Sequence, residues 1–448
     1  MKITIIGAGE IGQYLAGMLA TEKKDVTLLD RDAESLNNVS SRYDLLTVCG
    51  SATSPKSLLK AGVRDADLVI AATDVDEVNI LASMMSKRLG AKKTIARVRN
   101  PEYTESDAPV TPSELGIDII IQPEMSTANE VLQLVKRADA TDVIELANGQ
   151  IQLIGLKIEK DSEISGETLD SMSSELEFNF RVVAILRGGR TIIPSGTDKV
   201  VKNDTIFVII KPENVDKLVR ISGHHNREIK NVMIAGGSPV GENVMKLMSR
   251  EKRDWQIKLI DSDPERSYRL ASENKNVLVL QGEPDDVNLL ASEGIMDTDV
   301  FISVTDDEES NIVNCLMAKH LGVRKTIALL SKSSLIPLSQ TIGLDAAVNT
   351  KLSASNEIHR HVLQGKVYSV TGLHGISAEL LELEVGTHCR AANKPLYKST
   401  LPFGSIVGAI INENEVEIAT GKSVLQSGDR IMVFSVPQSV EKVSGYFQ

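Results

Sequence analysis

Apolar runs of four to six residues, such as ITII at 3–6, VTLL at 26–29 and DLVIAA at 67–72, punctuate the start of the chain. Between them, in IGQYLAGMLA at 11–20 and VNILASMMSKRL at 78–89, apolar side chains recur every three or four positions. Short continuous apolar runs suit strands covered on both faces, and the longer periodic stretches suit the helices that cover them. This rhythm predicts a doubly wound α/β sheet of parallel strands. The pattern then changes. IQLIGLKI at 151–158 and DTIFVII at 204–210 sit between Gly, Asp and Asn turns, with room for one short helix around SGETLDSM at 165–172. A small, strand-rich α+β lobe is expected there.

Both patterns occur twice. AGVRDADLVIAATDVDEVNI at 61–80 returns as EGIMDTDVFISVTDDEESNI at 293–312, and KRLGAKKTIA at 87–96 as KHLGVRKTIA at 319–328. IIQPEMSTANEV at 120–131 is answered by AVNTKLSASNEI at 347–358, and the strand-rich stretch 181–210 has a fainter counterpart at 405–434. A long-period repeat decides architecture before any single motif does. The expected order is a Rossmann-like domain at 1–138, a lobe at 139–221, a second Rossmann-like domain at 229–363 and a second lobe at 364–448. Polar SGHHNREIKN at 222–231 lacks periodicity and reads as the linker between the halves.

The candidate chemistry lies in the turn after the first strand. Gly7, Ala8, Gly9, Glu10, Ile11 and Gly12 form G-x-G-x-x-G between a strand and a helix. In that context Gly7 allows the tight turn, Gly9 lets a pyrophosphate approach the backbone, and Gly12 lets helix and strand pack. Asp30 ends the next strand, placed to accept hydrogen bonds from both ribose hydroxyls and to repel a 2′-phosphate. This favours NAD(H) over NADP(H), although Arg31 beside it is able to stack on adenine or embrace a phosphate. The adenosine ribose of ATP or ADP would satisfy the same carboxylate. Thr73 and Asp74 follow DLVIAA at a carboxyl end, where they either touch ligand or cap the helix starting near Asp76. Arg97 and Arg99 leave their strand on one side, available to a pyrophosphate or to surface ion pairs.

The second turn reads Gly236, Gly237, Ser238, Pro239, Val240, Gly241. Ser238 replaces the middle glycine and is expected to crowd a phosphate, while Pro239 lacks an amide donor. Asp261, Thr305 and Asp306 keep their places, but Leu329 and Ser331 stand where the first copy has Arg97 and Arg99. Nucleotide binding there should be weaker, altered or absent.

Bulk properties narrow the function. A length of 448 residues suits two to four packed domains. With 49 basic and 61 acidic residues the net charge is -12, which disfavours nucleic acid as a partner. Cys49, Cys315 and Cys389 lack metal or disulfide spacing and read as reduced, buried small hydrophobes of a cytosolic protein. Met1 runs straight into a strand pattern, and no apolar run approaches the roughly 18 residues of a membrane span. Work at a membrane would therefore require another chain to hold this one there.

GAGEIG, Asp30, GSATSPKSLLKAGVRDADLVIAATDVDEVN, ARVRNPEY and the lobe segment IIPSGTDKVVKNDTIFVI together resemble the TrkA family, the cytosolic regulatory subunits of Trk potassium uptake systems. The tandem layout is similar to two fused RCK (regulator of potassium conductance) units. The resemblance covers nearly the whole chain. It implies binding of NAD(H) and of ATP or ADP, assembly into a homo-oligomeric ring of two or four chains, and docking from the cytoplasm, at the inner face of the plasma membrane, on an integral-membrane potassium-translocating subunit. The implied first site comprises Gly7 to Ile11, Asp30, Thr73, Asp74 and Arg97; the second comprises Gly236 to Val240, Asp261, Thr305 and Asp306.

Two rival classes stand beside it. A dehydrogenase needs a proton donor or acceptor in a substrate cleft. Here His224 and His225 fall in the linker, His359 and His361 are two apart on a helix, and His320, His374 and His388 lack motif partners. A structural adaptor with decayed sites fits the second turn better than the first.

Overall fold

The computed structural model describes residues 1–448 apart from 22, 105–108, 138, 225–228, 252, 333–334, 337–338, 340–341, 363–366, 373–375, 377, 413–414 and 448. His225, His374 and part of the expected linker lie outside the described residues, as do the side chains of His359 and His361.

Six strands form the first sheet: β1 (Lys2–Ile6), β2 (Asp25–Asp30), β3 (Leu46–Cys49), β4 (Leu68–Ala71), β5 (Thr94–Arg97) and β6 (Ile119–Ile121). They are parallel, in the order β3-β2-β1-β4-β5-β6. Ile5, Ile6, Leu28, Leu29, Val69 and Ile70 are fully buried, as strands packed on both faces require. The order reverses between β1 and β4, and the crevice at the carboxyl ends of these two strands is where doubly wound sheets take ligands. Cys49 corrects the expectation of three buried cysteines. It is exposed, because β3 is an edge strand, whereas Cys315 and Cys389 are buried.

The first lobe is antiparallel: β7 (Ala140–Leu146), β8 (Ile151–Lys157), β9 (Phe180–Arg187), β10 (Arg190–Ile192) and β11 (Thr205–Ile210), in the order β10-β9-β11-β8-β7. Its expected helix is Leu169–Glu175, opened by Thr168, whose side chain accepts from Ser171 N. A second helix, Val215–Ile221, was not anticipated. Two turns are too short for periodicity to announce, though Val215, Leu218 and Val219 bury one face. Expected linker residues Ser222 and His224 are docked, with Ser222 buried and His224 Nε2 2.7 Å from the Lys157 carbonyl.

The same architecture recurs in the second half. β12 (Asn231–Ala235), β13 (Gln256–Asp261), β14 (Val277–Gln281), β15 (Val300–Ser303), β16 (Lys325–Leu329) and β17 (Ala346–Val348) repeat the parallel sheet as β14-β13-β12-β15-β16-β17. β18 (Val367–Gly372), β19 (Glu379–Glu384), β20 (Ser405–Ile411), β21 (Val416–Ile418) and β22 (Arg430–Ser435) form the second antiparallel lobe. The two lobes share a core in which Val183, Phe207 and Ile209 meet Leu380, Met432 and Phe434. Both lobes carry a bulge, at Val183 and at Gly408. A Cβ at Gly408 would stand 2.4 Å from Ile209 Cδ1 and 3.3 Å from Val183 Cγ1, so one copy has a glycine where the other presents its bulky residues.

The chain divides into two compact units, Met1–Ser126 with Lys351–Ile358, and Thr127–Thr350 with His359–Gln448. The helix Pro123–Lys136 thus starts in the first unit, and its residues from Thr127 on belong to the second. There Ala128, Val131 and Val135 share a core with Val232, Ile234 and Val244. Lys325, 2 % exposed, closes the end of this helix by donating to the carbonyls of Leu134, Arg137 and Ala140. Burial lowers its pKa to about 8, against the raising influence of Asp345 and Asp139. Below that value folded and unfolded chains are both protonated, and the burial penalty on the ammonium is fully present. As pH rises from about 8 toward 10.5 the folded amine loses its proton first, so stability rises across that window. In melts from pH 7.5 to 10.5, wild type should gain stability relative to Lys325→Met; parallel curves would remove this role. Among the described residues, no helix is long and apolar enough to cross a membrane.

Candidate nucleotide-binding site

The first glycine turn lies between β1 and the helix Glu10–Thr21. Gly7 has φ +107°, and a Cβ there would lie 2.9 Å from Thr73 N. A Cβ on Gly12 would stand 1.9 Å from Gly7 O. The fold itself demands both glycines. Gly9 differs: the nearest atom to a Cβ there is Asp74 Oδ2 at 3.6 Å, an ordinary contact. Its missing side chain leaves a cradle facing outward, beside amides at the start of a helix whose first internal bond runs from Gln13 N to Gly9 O.

Asp30 is half-buried at the end of β2. Its Oδ2 accepts from Ala8 N at 2.5 Å and its Oδ1 from Asp32 N at 2.8 Å. The carboxylate thereby holds the glycine turn and retains acceptor capacity for hydroxyls. Arg31 next to it is exposed, and Asp32 turns away to cap the helix Ala33–Ser40.

Opposite the turn, Thr73 and Asp74 follow β4. Thr73 is fixed by Asn79, whose Oδ1 accepts from Thr73 N at 2.8 Å and Oγ1 at 2.7 Å, while its Nδ2 donates to the Thr73 and Arg97 carbonyls at 2.9 Å each. Fully buried Asn79 therefore clamps the ends of β4 and β5 together. Arg97 is 7 % exposed; Nη1 bonds Asp74 Oδ1 at 3.0 Å and Nη2 bonds Glu124 Oε1 at 2.5 Å. Its buried Nε has no acceptor among the described residues. Arg99 is apart from it, held by Asp76 and the Asp74 carbonyl. The structure thus brings together the turn, Asp30, Thr73, Asp74 and Arg97, with Arg99 tied to the Asp74 backbone and to Asp76. Lys351, within the same unit, places Nζ 3.3 Å from Oε2 of Glu10. The Gly9 cradle and the orphaned Arg97 Nε together fit a bound nucleotide.

The second turn keeps the frame: a Cβ on Gly241 would stand 2.0 Å from Gly236 O, and Asn311 clamps Thr305 and Leu329 as Asn79 clamps its partners. Two expectations need correction. Ser238 does not point at the approach path: it is 3 % exposed, donates to Val304 O at 2.5 Å and caps the helix Pro239–Arg250. Pro239 takes the first helical position, where a missing amide matters least, and Val240 is buried. Nor has the cation vanished with Leu329. Arg266 Nη1 lies 3.3 Å from Asp261 Oδ2 and 4.0 Å from Asp306 Oδ2. At the place of Arg99, the Ser331 amide donates to Glu308 at 2.7 Å and its carbonyl accepts from Asn349 at 3.1 Å.

Sequence reasoning missed Asn79, Asn311, Glu124, Arg266 and Lys351. The two asparagines had a signal, since both repeated blocks end in Asn-Ile. Arg266 had none, because the first copy has Ser35 at the equivalent place.

Comparison with solved structures bears on the fold. The chain is similar to the RCK domain of the GsuK channel, with a TM-score of 0.62 at 16% identity, covering 99% of this chain and 95% of that one. It is equally similar to the GsuK channel bound to NAD, at 0.62 and 15% identity, covering 100% of this chain and 78% of that one. The TrkA-N domain model matches residues 3–123 and 232–350, and the TrkA-C domain model matches 153–223. The chain belongs to the TrkA family. The Trk system potassium uptake protein TrkA of Haemophilus influenzae is 34% identical, covering 100% of this chain and 99% of that protein. The Trk system potassium uptake protein TrkA homolog 1 of Methanosarcina mazei is 33% identical over the full length of both.

Proposed function

We propose that this protein is the nucleotide-sensing regulatory subunit of a potassium uptake system. The observation that carries the reading is Gly9, a glycine the fold does not need at the mouth of a turn whose other glycines it does need. Full-length similarity to proteins named for Trk potassium uptake supports the physiological setting. The four modules 1–138, 139–221, 229–363 and 364–448 form a cytoplasmic homo-oligomeric ring that docks on an integral-membrane potassium-translocating subunit. Its role is gating rather than catalysis.

At the first site, helix-start amides receive the phosphates of NAD(H), ATP or ADP, and Asp30 receives the ribose hydroxyls. Asp74, held by Arg97, forms the opposite wall. Because Lys351 contacts Glu10 on this turn, residues from the second half of the chain feel what the turn binds. A ligand moves the ring only through its difference in affinity between two ring states. NADH and ATP share the Asp30 contact and diverge beyond the phosphates, so they are suited to favour opposite states.

The test is Asp30→Ala with NADH and ATP in titration calorimetry. Affinity for both should fall about tenfold or more, as loss of hydrogen bonds to a charged group implies. Unchanged affinity would contradict the assignment.

A further inference from the structure

We propose that Arg266 is a built-in gate that closes the second turn to the adenosine ligands taken by the first, an inference resting on the reading of the first turn as a nucleotide site. Asp30 and Asp261 are twins: each ends a strand, and each receives one amide from its glycine turn and one from the residue two positions on. They part five residues later. Ser35 bonds Asp32 and leaves Asp30 alone. Arg266 instead reaches back to Asp261 Oδ2 at 3.3 Å, with Nη1 4.0 Å from Asp306 and Nη2 3.9 Å from Asp263.

Asp261 is only 5 % exposed, and its Oδ2 already accepts from Gly237 N at 2.6 Å. A ribose diol needs free carboxylate lone pairs, and here the guanidinium stands in the diol's place. By spanning Asp261 at the end of β13 and Asp306 after β15, the same side chain bridges the crevice at its switch point. Its stem also lies over the turn. A Cβ on Gly237 would meet Arg266 Cδ at 3.1 Å and Leu270 Cδ1 at 2.9 Å. The first turn has Ala8 at that position, whose methyl would crowd such a stem. Glycine at 237 in place of Ala8 thus leaves room beneath both Leu270 and the Arg266 stem.

The experiment is equilibrium dialysis of the full chain with labelled ATP and with labelled NADH, on wild type, Gly9→Asp, Arg266→Ser and the double variant. Arg266→Ser should raise the saturating stoichiometry about twofold over wild type, and the double variant should retain the newly opened site while Gly9→Asp alone binds none. Unchanged first-turn affinity in Arg266→Ser verifies that it is folded. Unchanged stoichiometry in a folded Arg266→Ser chain overturns the gate. So does binding that survives Gly9→Asp but disappears in Arg266→Ser, which would make Arg266 a ligand-holding residue. Binding seen only after Arg266→Ser would uphold the gate and sink the first-turn reading, and no binding in any variant would sink both.

Discussion

Gly9→Asp should abolish nucleotide binding at the first turn while leaving the melting temperature nearly unchanged, and Gly12→Ala should do the reverse damage, to the fold. A Cβ at position 9 has 3.6 Å to its nearest neighbour, Asp74 Oδ2, an ordinary contact that the fold tolerates. What the new side chain displaces is phosphate, and its charge repels the anion that the helix start would otherwise receive. A methyl at position 12 stands 1.9 Å from Gly7 O, backbone that moves only if helix and strand separate. Overpacking of this kind destabilises by about 1–3 kcal/mol, and so short a contact with backbone belongs at the upper end. Calorimetry of binding and thermal melts on both variants check the contrast. Loss of stability in Gly9→Asp as large as in Gly12→Ala would mean that both glycines serve packing only.

The second large effect belongs to Asn79→Leu. Leucine is close in volume, but it leaves Thr73 N, Thr73 O and Arg97 O without their buried partner. Each stranded group carries a penalty of about 1–3 kcal/mol, so a loss of about 3 kcal/mol or more is expected. Because the clamp sets Thr73 and Asp74 against the glycine turn, ligand affinity should fall with it. Asn311→Leu should destabilise the second half comparably through Thr305 and Leu329. A melting temperature indistinguishable from wild type in Asn79→Leu would show that the rim is held by something else.

Where the sequence was informative, the cause is local. Apolar runs separated by 3.6-period stretches follow from strands buried on both faces, and repetition of VRDADLVIAATD as IMDTDVFISVTD announced two copies of the sheet. Gly7 and Gly12 were legible because a strand-turn-helix leaves only a hydrogen at those contacts. What stayed hidden depends on contacts between distant residues. Arg266 reads as an ordinary helical arginine until Asp261 and Gly237 are seen beside it. Glu124 is 27 positions from Arg97 in sequence, and Lys351 reaches Glu10 only because residues 351–358 belong to the first unit. Cys49 was misjudged because composition does not say which strand is at an edge. Ser238 was misjudged because its rotamer, folded back on Val304 O, is set by the neighbouring strand.

The central claim is that nucleotide in the first turn controls a potassium pathway. Its most direct test is potassium flux into vesicles holding a Trk-type membrane subunit reconstituted with this protein, comparing wild type with Gly9→Asp in ATP and in NADH. Flux should differ between the two nucleotides with wild type and become indifferent to them with Gly9→Asp. The same nucleotide response in both proteins would contradict the account.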